Sequence, residues 1–89
     1  DGLFKFLWDE DYVVAFARFT PKDLFITVVS SDTEDREIKL PIYIFGKDFS
    51  KNIPKTDVFD NKLETSVDSG FLKVKIPAGK SYLIDLSIK

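Results

Sequence analysis

Neither cysteine nor histidine occurs in this 89-residue chain. Without cysteine there is no disulfide framework, no thiolate nucleophile and no cysteine metal site, an absence that fits a reducing compartment such as the cytoplasm. Without histidine the commonest general base and the commonest metal ligand are both missing. No stretch approaches the roughly 20 apolar residues of a membrane span, and no signal peptide opens the chain. Charge of one sign is not concentrated: the net charge is −2 with both signs interspersed. No basic stripe therefore recommends nucleic acid, and no polybasic run recommends anionic lipid. Nucleophile-elbow, phosphate-cradling and dinucleotide signatures are absent as well. The expectation is a chain with no catalytic residue, no metal and no cofactor of its own.

What is present is aromatic and β-branched. Nine phenylalanines, three tyrosines and one tryptophan serve as bulky fillers in a chain short enough to bury only about 60–65% of its unfolded surface. The organising stretch is Tyr12 to Ser31, two nearly continuous apolar runs folded back at Thr20-Pro21-Lys22-Asp23, where proline suits a turn and not a ladder. Val13, Ala15, Ala17 and Phe19 share one face of the first run, and Tyr12, Val14, Phe16 and Arg18 the other. Before it, Gly2 to Trp8 alternates, with Phe4, Phe6 and Trp8 on one side, and Asp9-Glu10-Asp11 is expected to turn the chain. After it come a polar turn at Ser31 to Asp35 and a half-buried strand with Ile38, Leu40 and Ile42 inward, ending at Pro41. Tyr43 to Thr56 is irregular and reads as a connection crossing between sheets. Short strands are expected at Asp57 to Phe59 and Leu63 to Val67. Phe71 to Ile76 and Ser81 to Ile88 close the chain, the last with Tyr82, Ile84, Leu86 and Ile88 inward. The expectation is a single all-β domain over residues 1–89, an antiparallel β-sandwich of seven to eight strands, Greek-key-like, with turn signals roughly every 8–12 residues.

Three constellations bear on function. Asp9-Glu10-Asp11, or Asp32 with Glu34 and Asp35, offers oxygens to a hard cation, but contiguous acids on a turn point to different sides. The second group also lacks a calcium loop's glycine and glutamate spacing, so solvated turns are the favoured reading. A carboxylate pair about 5–9 Å apart hydrolyses glycosides only within a cleft, which a filled sandwich of this size does not offer. Aromatic Trp8, Tyr43, Phe45 and Phe49 can stack on sugar faces; they equally suit a core, or an apolar face too large for a lone molecule that docks onto a neighbouring domain. Arg18, isolated on an apolar strand, then becomes an ion-pair or hydrogen-bond anchor at the seam.

Gly2-Leu3-Phe4-Lys5-Phe6-Leu7, the acidic turn, Val14-Ala15-Phe16-Ala17-Arg18 and Leu24-Phe25-Ile26-Thr27-Val28-Val29-Ser30 together resemble the C-terminal β-sandwich of the α-amylase family of glycoside hydrolases. The neopullulanase, cyclomaltodextrinase and maltogenic amylase group is the nearest in flavour. Thr56-Asp57-Val58-Phe59-Asp60 and the closing pair, Gly70 to Gly79 and Ser81-Tyr82-Leu83-Ile84, extend the similarity over nearly the whole chain. Ser30 stands where that family often has asparagine. The resemblance implies that catalytic carboxylates and any calcium site belong to a preceding (β/α)₈ barrel, which needs about 250 residues. This chain would then be an accessory domain packed against that barrel. The start at Asp1 without a methionine is read accordingly, as a piece cut from a longer polypeptide. The contact residues expected are Phe4, Trp8, Arg18 and Phe19. A carbohydrate-binding module holding an α-glucan on Trp8, Tyr43 and Phe45 is the first alternative. A free-standing immunoglobulin-like interaction domain is the second.

Overall fold

Alternation of apolar and polar residues at a period of two writes most of the architecture. A computed structural model describes residues 3–10, 12–51 and 53–88. Gly2, expected to open the first strand, Asp11 of the acidic turn and Asn52 of the long connection lie outside the described residues. Seven strands are formed among the described residues: β1 (Leu3–Glu10), β2 (Val13–Phe19), β3 (Leu24–Ser30), β4 (Arg36–Leu40), β5 (Glu64–Asp68), β6 (Phe71–Ile76) and β7 (Ser81–Asp85). They make two antiparallel sheets, ordered β1-β2-β3-β7 and β4-β6-β5. The β3–β4 and β6–β7 connections both change sheet, so β7 returns to lie beside β3 in the Greek-key manner.

The core is the space between the sheets. Val13, Ala15 and Ala17 of β2, Leu24, Ile26 and Val28 of β3, and Tyr82, Ile84 and Leu86 at the C-terminal end face Ile38, Leu40, Leu72, Val74 and Ile76 of the smaller sheet. Burying each such branched side chain contributes about 1.5–3 kcal/mol. The β2–β3 hairpin closes where expected. Thr20 Oγ1 accepts from the backbone N–H groups of Lys22 (3.2 Å) and Asp23 (2.9 Å) and donates to Asp23 Oδ2 (3.0 Å), so Pro21 needs no donor there. Register then runs without a break from Phe19–Leu24 to Val13–Ser30.

Three expectations about elements are corrected. Asp9 and Glu10 do not turn the chain: they pair with Val14 and Val13 as the end of β1. Asp57 to Phe59 is not a strand but a turn, because the Asp57 carboxylate gathers the local N–H groups instead of leaving them to a ladder. Ile88 lies beyond β7 with its side chain exposed, although its N–H still donates to Lys22 O (2.8 Å). The Tyr43–Thr56 connection holds two short 3₁₀ turns, Ile42–Phe45 and Lys47–Ser50, which bury Ile42 and Phe49.

Candidate functional site, the outer face of the larger sheet

Pairing register fixes which side chains share the outer face of the four-stranded sheet. One row reads Phe4, Arg18, Phe25, Asp85; the next Phe6, Phe16, Thr27, Leu83; the third Asp9, Val14, Val29, Ser81. Phe4, Phe6 and Phe16 form a ring cluster with centroids 5.1 Å (Phe4–Phe6 and Phe4–Phe16) and 6.1 Å (Phe6–Phe16) apart. Even so, Phe4 keeps 51% and Phe6 60% of its surface in solvent, and Phe25 and Val29 are exposed as well. Beyond β7, Val58 N–H donates to Leu83 O (2.8 Å), and the side chains of Val58 and Phe59 are exposed.

The smaller sheet turns a different chemistry outward. Glu37, Lys75 and Glu64 make one cross-strand row and Lys39, Lys73 and Ser66 the next, with Lys73 Nζ 3.7 Å from Asp68 Oδ2. One flank of the sandwich is therefore suited to water, and the other presents a band of phenylalanine and valine. Within that band the charged groups are Arg18 and the row-end acids Asp9 and Asp85. Asp85 Oδ1 accepts from Ser87 N–H (2.9 Å).

Of the contact residues expected from sequence, Phe4 and Arg18 lie together on this face. Trp8 does not join Phe4 and Phe6 there, contrary to the simple alternation. A bulge between Phe6 and Trp8 advances β1 by one residue, so Trp8 stands opposite Ala15, turns inward and packs half-buried against the core. Phe19 also faces inward and stacks on Phe45 at 4.7 Å. The three candidate sugar-stacking rings are likewise dispersed. Phe45 is held by Phe19, Tyr43 by Phe71 at 5.3 Å, and the Trp8 indole N–H donates to Glu10 O (3.3 Å). No ring contact joins the three among the described residues.

The acids serve the turns. Arg36 Nε donates to Asp32 Oδ2 (2.6 Å) and Glu34 N–H to Asp32 Oδ1 (3.1 Å); the Arg36 bond, set against burial, holds the Asp32 carboxyl below its ordinary range. Asp35 Oδ1 accepts from Ala78 N–H (2.9 Å). Among the described residues no three acids converge as a metal set. Asp57 was missed as a key residue by sequence reasoning, although an aspartate four residues before Asn61 is a turn signal. Its buried carboxylate accepts from the N–H groups of Phe59 (2.9 Å), Asn61 (2.8 Å) and Leu83 (3.1 Å) and from the Asn61 side chain (3.2 Å). Burial pushes that carboxyl up, and the hydrogen bonds from Asn61, Leu83 and Phe59 outweigh it, leaving the group below its ordinary value. Between the two sheets' ends a groove of ≈ 440 Å³ is rimmed by three acids (Asp35, Glu37, Glu64) and three bases (Arg36, Lys62, Lys75) beside Tyr82. Burial first, then the charges of Asp57 and Glu64, pushes the Tyr82 phenol up.

No protein-family model matches the chain, and no curated protein sequence does. Among solved structures the fold is similar to part of the crystal structure of a Nostoc punctiforme debranching enzyme, from an acarbose-soaked crystal. The superposition has a TM-score of 0.64, with 15% sequence identity, and covers 93% of this chain. The chain spans 15% of the length of that structure. At this identity the common property is the fold: a small all-β sandwich that occurs as one part of a much larger debranching enzyme.

Proposed function

We propose that this chain is the C-terminal accessory domain of an α-amylase-family glycoside hydrolase acting on starch- or maltodextrin-type α-glucans. It is non-catalytic by itself; the outer face of its larger sheet packs against the catalytic (β/α)₈ barrel of the same polypeptide and steadies it. The observation that carries this is the asymmetry of the sandwich: one flank charged, the other lined by Phe4, Phe6, Phe16, Phe25 and Val29. An exposed apolar band on one side of a small domain is the mark of a covered surface. The sequence resemblance and the likeness to a segment of a debranching enzyme both favour a covering domain within one polypeptide. That Phe45 is engaged by Phe19, Tyr43 by Phe71 and Trp8 by the core favours this reading over a sugar-binding module built on those three rings.

The test is the parent reading frame and its product. A barrel encoded upstream is expected. Hydrogen exchange of the parent should show the outer-face strands β1 to β3 slower than in the isolated chain. An open reading frame without a barrel, or equal exchange in both forms, overturns the proposal.

A further inference from the structure

The chain has two arginines, and they are treated differently. Arg36 is held by Asp32 and Glu34. Arg18 has no ion pair, hydrogen bond or ring contact among the described residues, and it stands between Phe4 on β1 and Phe25 on β3. The acid in its own row, Asp85, is two strands away, about 10 Å at the usual strand spacing, and one of its oxygens is bonded to Ser87 N–H. Asp23 in the adjoining turn is engaged by Thr20. In the uncovered sheet this costs nothing, since water solvates the guanidinium. Once the sheet is covered, the same group sits among phenyl rings with no internal partner, and an unpaired buried charge is strongly destabilising. Whatever covers the face must therefore bring the counter-charge with it.

We infer that the barrel surface facing this sheet presents a carboxylate to Arg18, in its row between Phe4 and Phe25. This rests on the docking proposed above and adds the chemistry of the partner. Arginine suits the position better than lysine: its planar fork takes a carboxylate through two parallel bonds. The apolar rings supply area, and the ion pair fixes register, because a sliding or rotated docking would leave both charges buried and apart.

Calorimetry of the parent enzyme and of the isolated chain, each with Arg18→Met, Arg18→Lys and Phe6→Ser, tests this. Arg18→Met should leave the isolated chain's Tm nearly unchanged but lower the parent's by about 5 °C or more, with Arg18→Lys recovering part of the loss. Phe6→Ser, which thins the apolar contact and adds no charge beside Arg18, should also lower the parent's Tm. If Phe6→Ser does so and Arg18→Met does not, the carboxylate inference fails while the docking stands. If neither variant affects the parent, both fail. If sedimentation shows the isolated chain pairing with a second copy, and Arg18→Met abolishes that pairing while leaving the parent's Tm unchanged, the counter-charge is the other copy's and the inference is overturned.

Discussion

Trp8 stands opposite Ala15, whereas Phe6, two residues earlier, stands opposite Phe16. Two steps along β1 match one step along β2, and this places the indole over the smallest side chain of the row, on the core side of the sheet. The two aromatics should therefore respond unequally to truncation. Trp8→Ala is expected to destabilise the isolated chain by about 2 kcal/mol. Phe6→Ser, losing its ring contacts with Phe4 and Phe16 from a mostly exposed position, should cost about 1 kcal/mol or less. Urea midpoints of the two variants check this.

A soluble α-glucan should leave Trp8 silent. The ring is packed against the core, and among the described residues no ring contact joins it to Tyr43 or Phe45. Titration with maltoheptaose is expected to leave the tryptophan emission unchanged, and saturable quenching would revive the carbohydrate-binding module.

The β5–β6 hairpin makes an unusual demand at Gly70. Ser69 and Gly70 both have positive φ (52° and 84°), as a two-residue turn between paired Asp68 and Phe71 needs. A Cβ on Gly70 would come within 2.7 Å of Tyr43 Cβ, on a residue whose N–H already donates to Gly70 O (2.9 Å). Gly70→Ala should cost about 2–4 kcal/mol, combining left-handed strain with overpacking. Gly79→Ala, with φ 69° but open space around it, should cost only about 1–2 kcal/mol. Comparing the two thermal shifts isolates the steric part.

Acid should unfold the domain through Asp32 and Asp57. Both carboxyls titrate below their ordinary value of 3.8 in the folded chain. A carboxyl of lowered folded pKa contributes its full stability above the unfolded pKa and loses it as pH falls through the folded one. The urea midpoint should therefore hold from pH 7 to about pH 5 and drop below about pH 4. Asp57→Ala, which strips the partner from three backbone N–H groups, should cost about 2–3 kcal/mol at pH 7 and make the acid loss shallower.

Sequence alone resolved the sandwich because Glu37 to Ile42, Phe71 to Ile76 and Ser81 to Leu86 alternate, while the nearly continuous β-branched and aromatic runs on either side of Pro21 mark central strands. It did not resolve the position of Trp8, since the bulge at Leu7 is formed by a residue with no turn character. The same extra residue carries β1 through Asp9 and Glu10, where an acidic triplet reads as a turn. Val58 and Phe59 have strand propensity, yet a single buried carboxylate at Asp57 folds them into a turn. Local propensity is outweighed there by one cluster of charge-assisted bonds. Phe16 and Arg18 were legible as sharing one face of β2; that Phe4 and Phe25 flank Arg18 in one row emerges only when three strands are laid in register.

The clasp that Asp57 and Val58 place along Leu83 has a bearing on aggregation. A sandwich with a greasy flank invites fibril growth when its rims offer free backbone to incoming chains. Here one rim of the larger sheet is capped by that clasp and the other is distorted at Leu7. Crowded molecules of this domain can adhere flank to flank, but the ladder of a cross-β filament has no straight rim on that sheet from which to start.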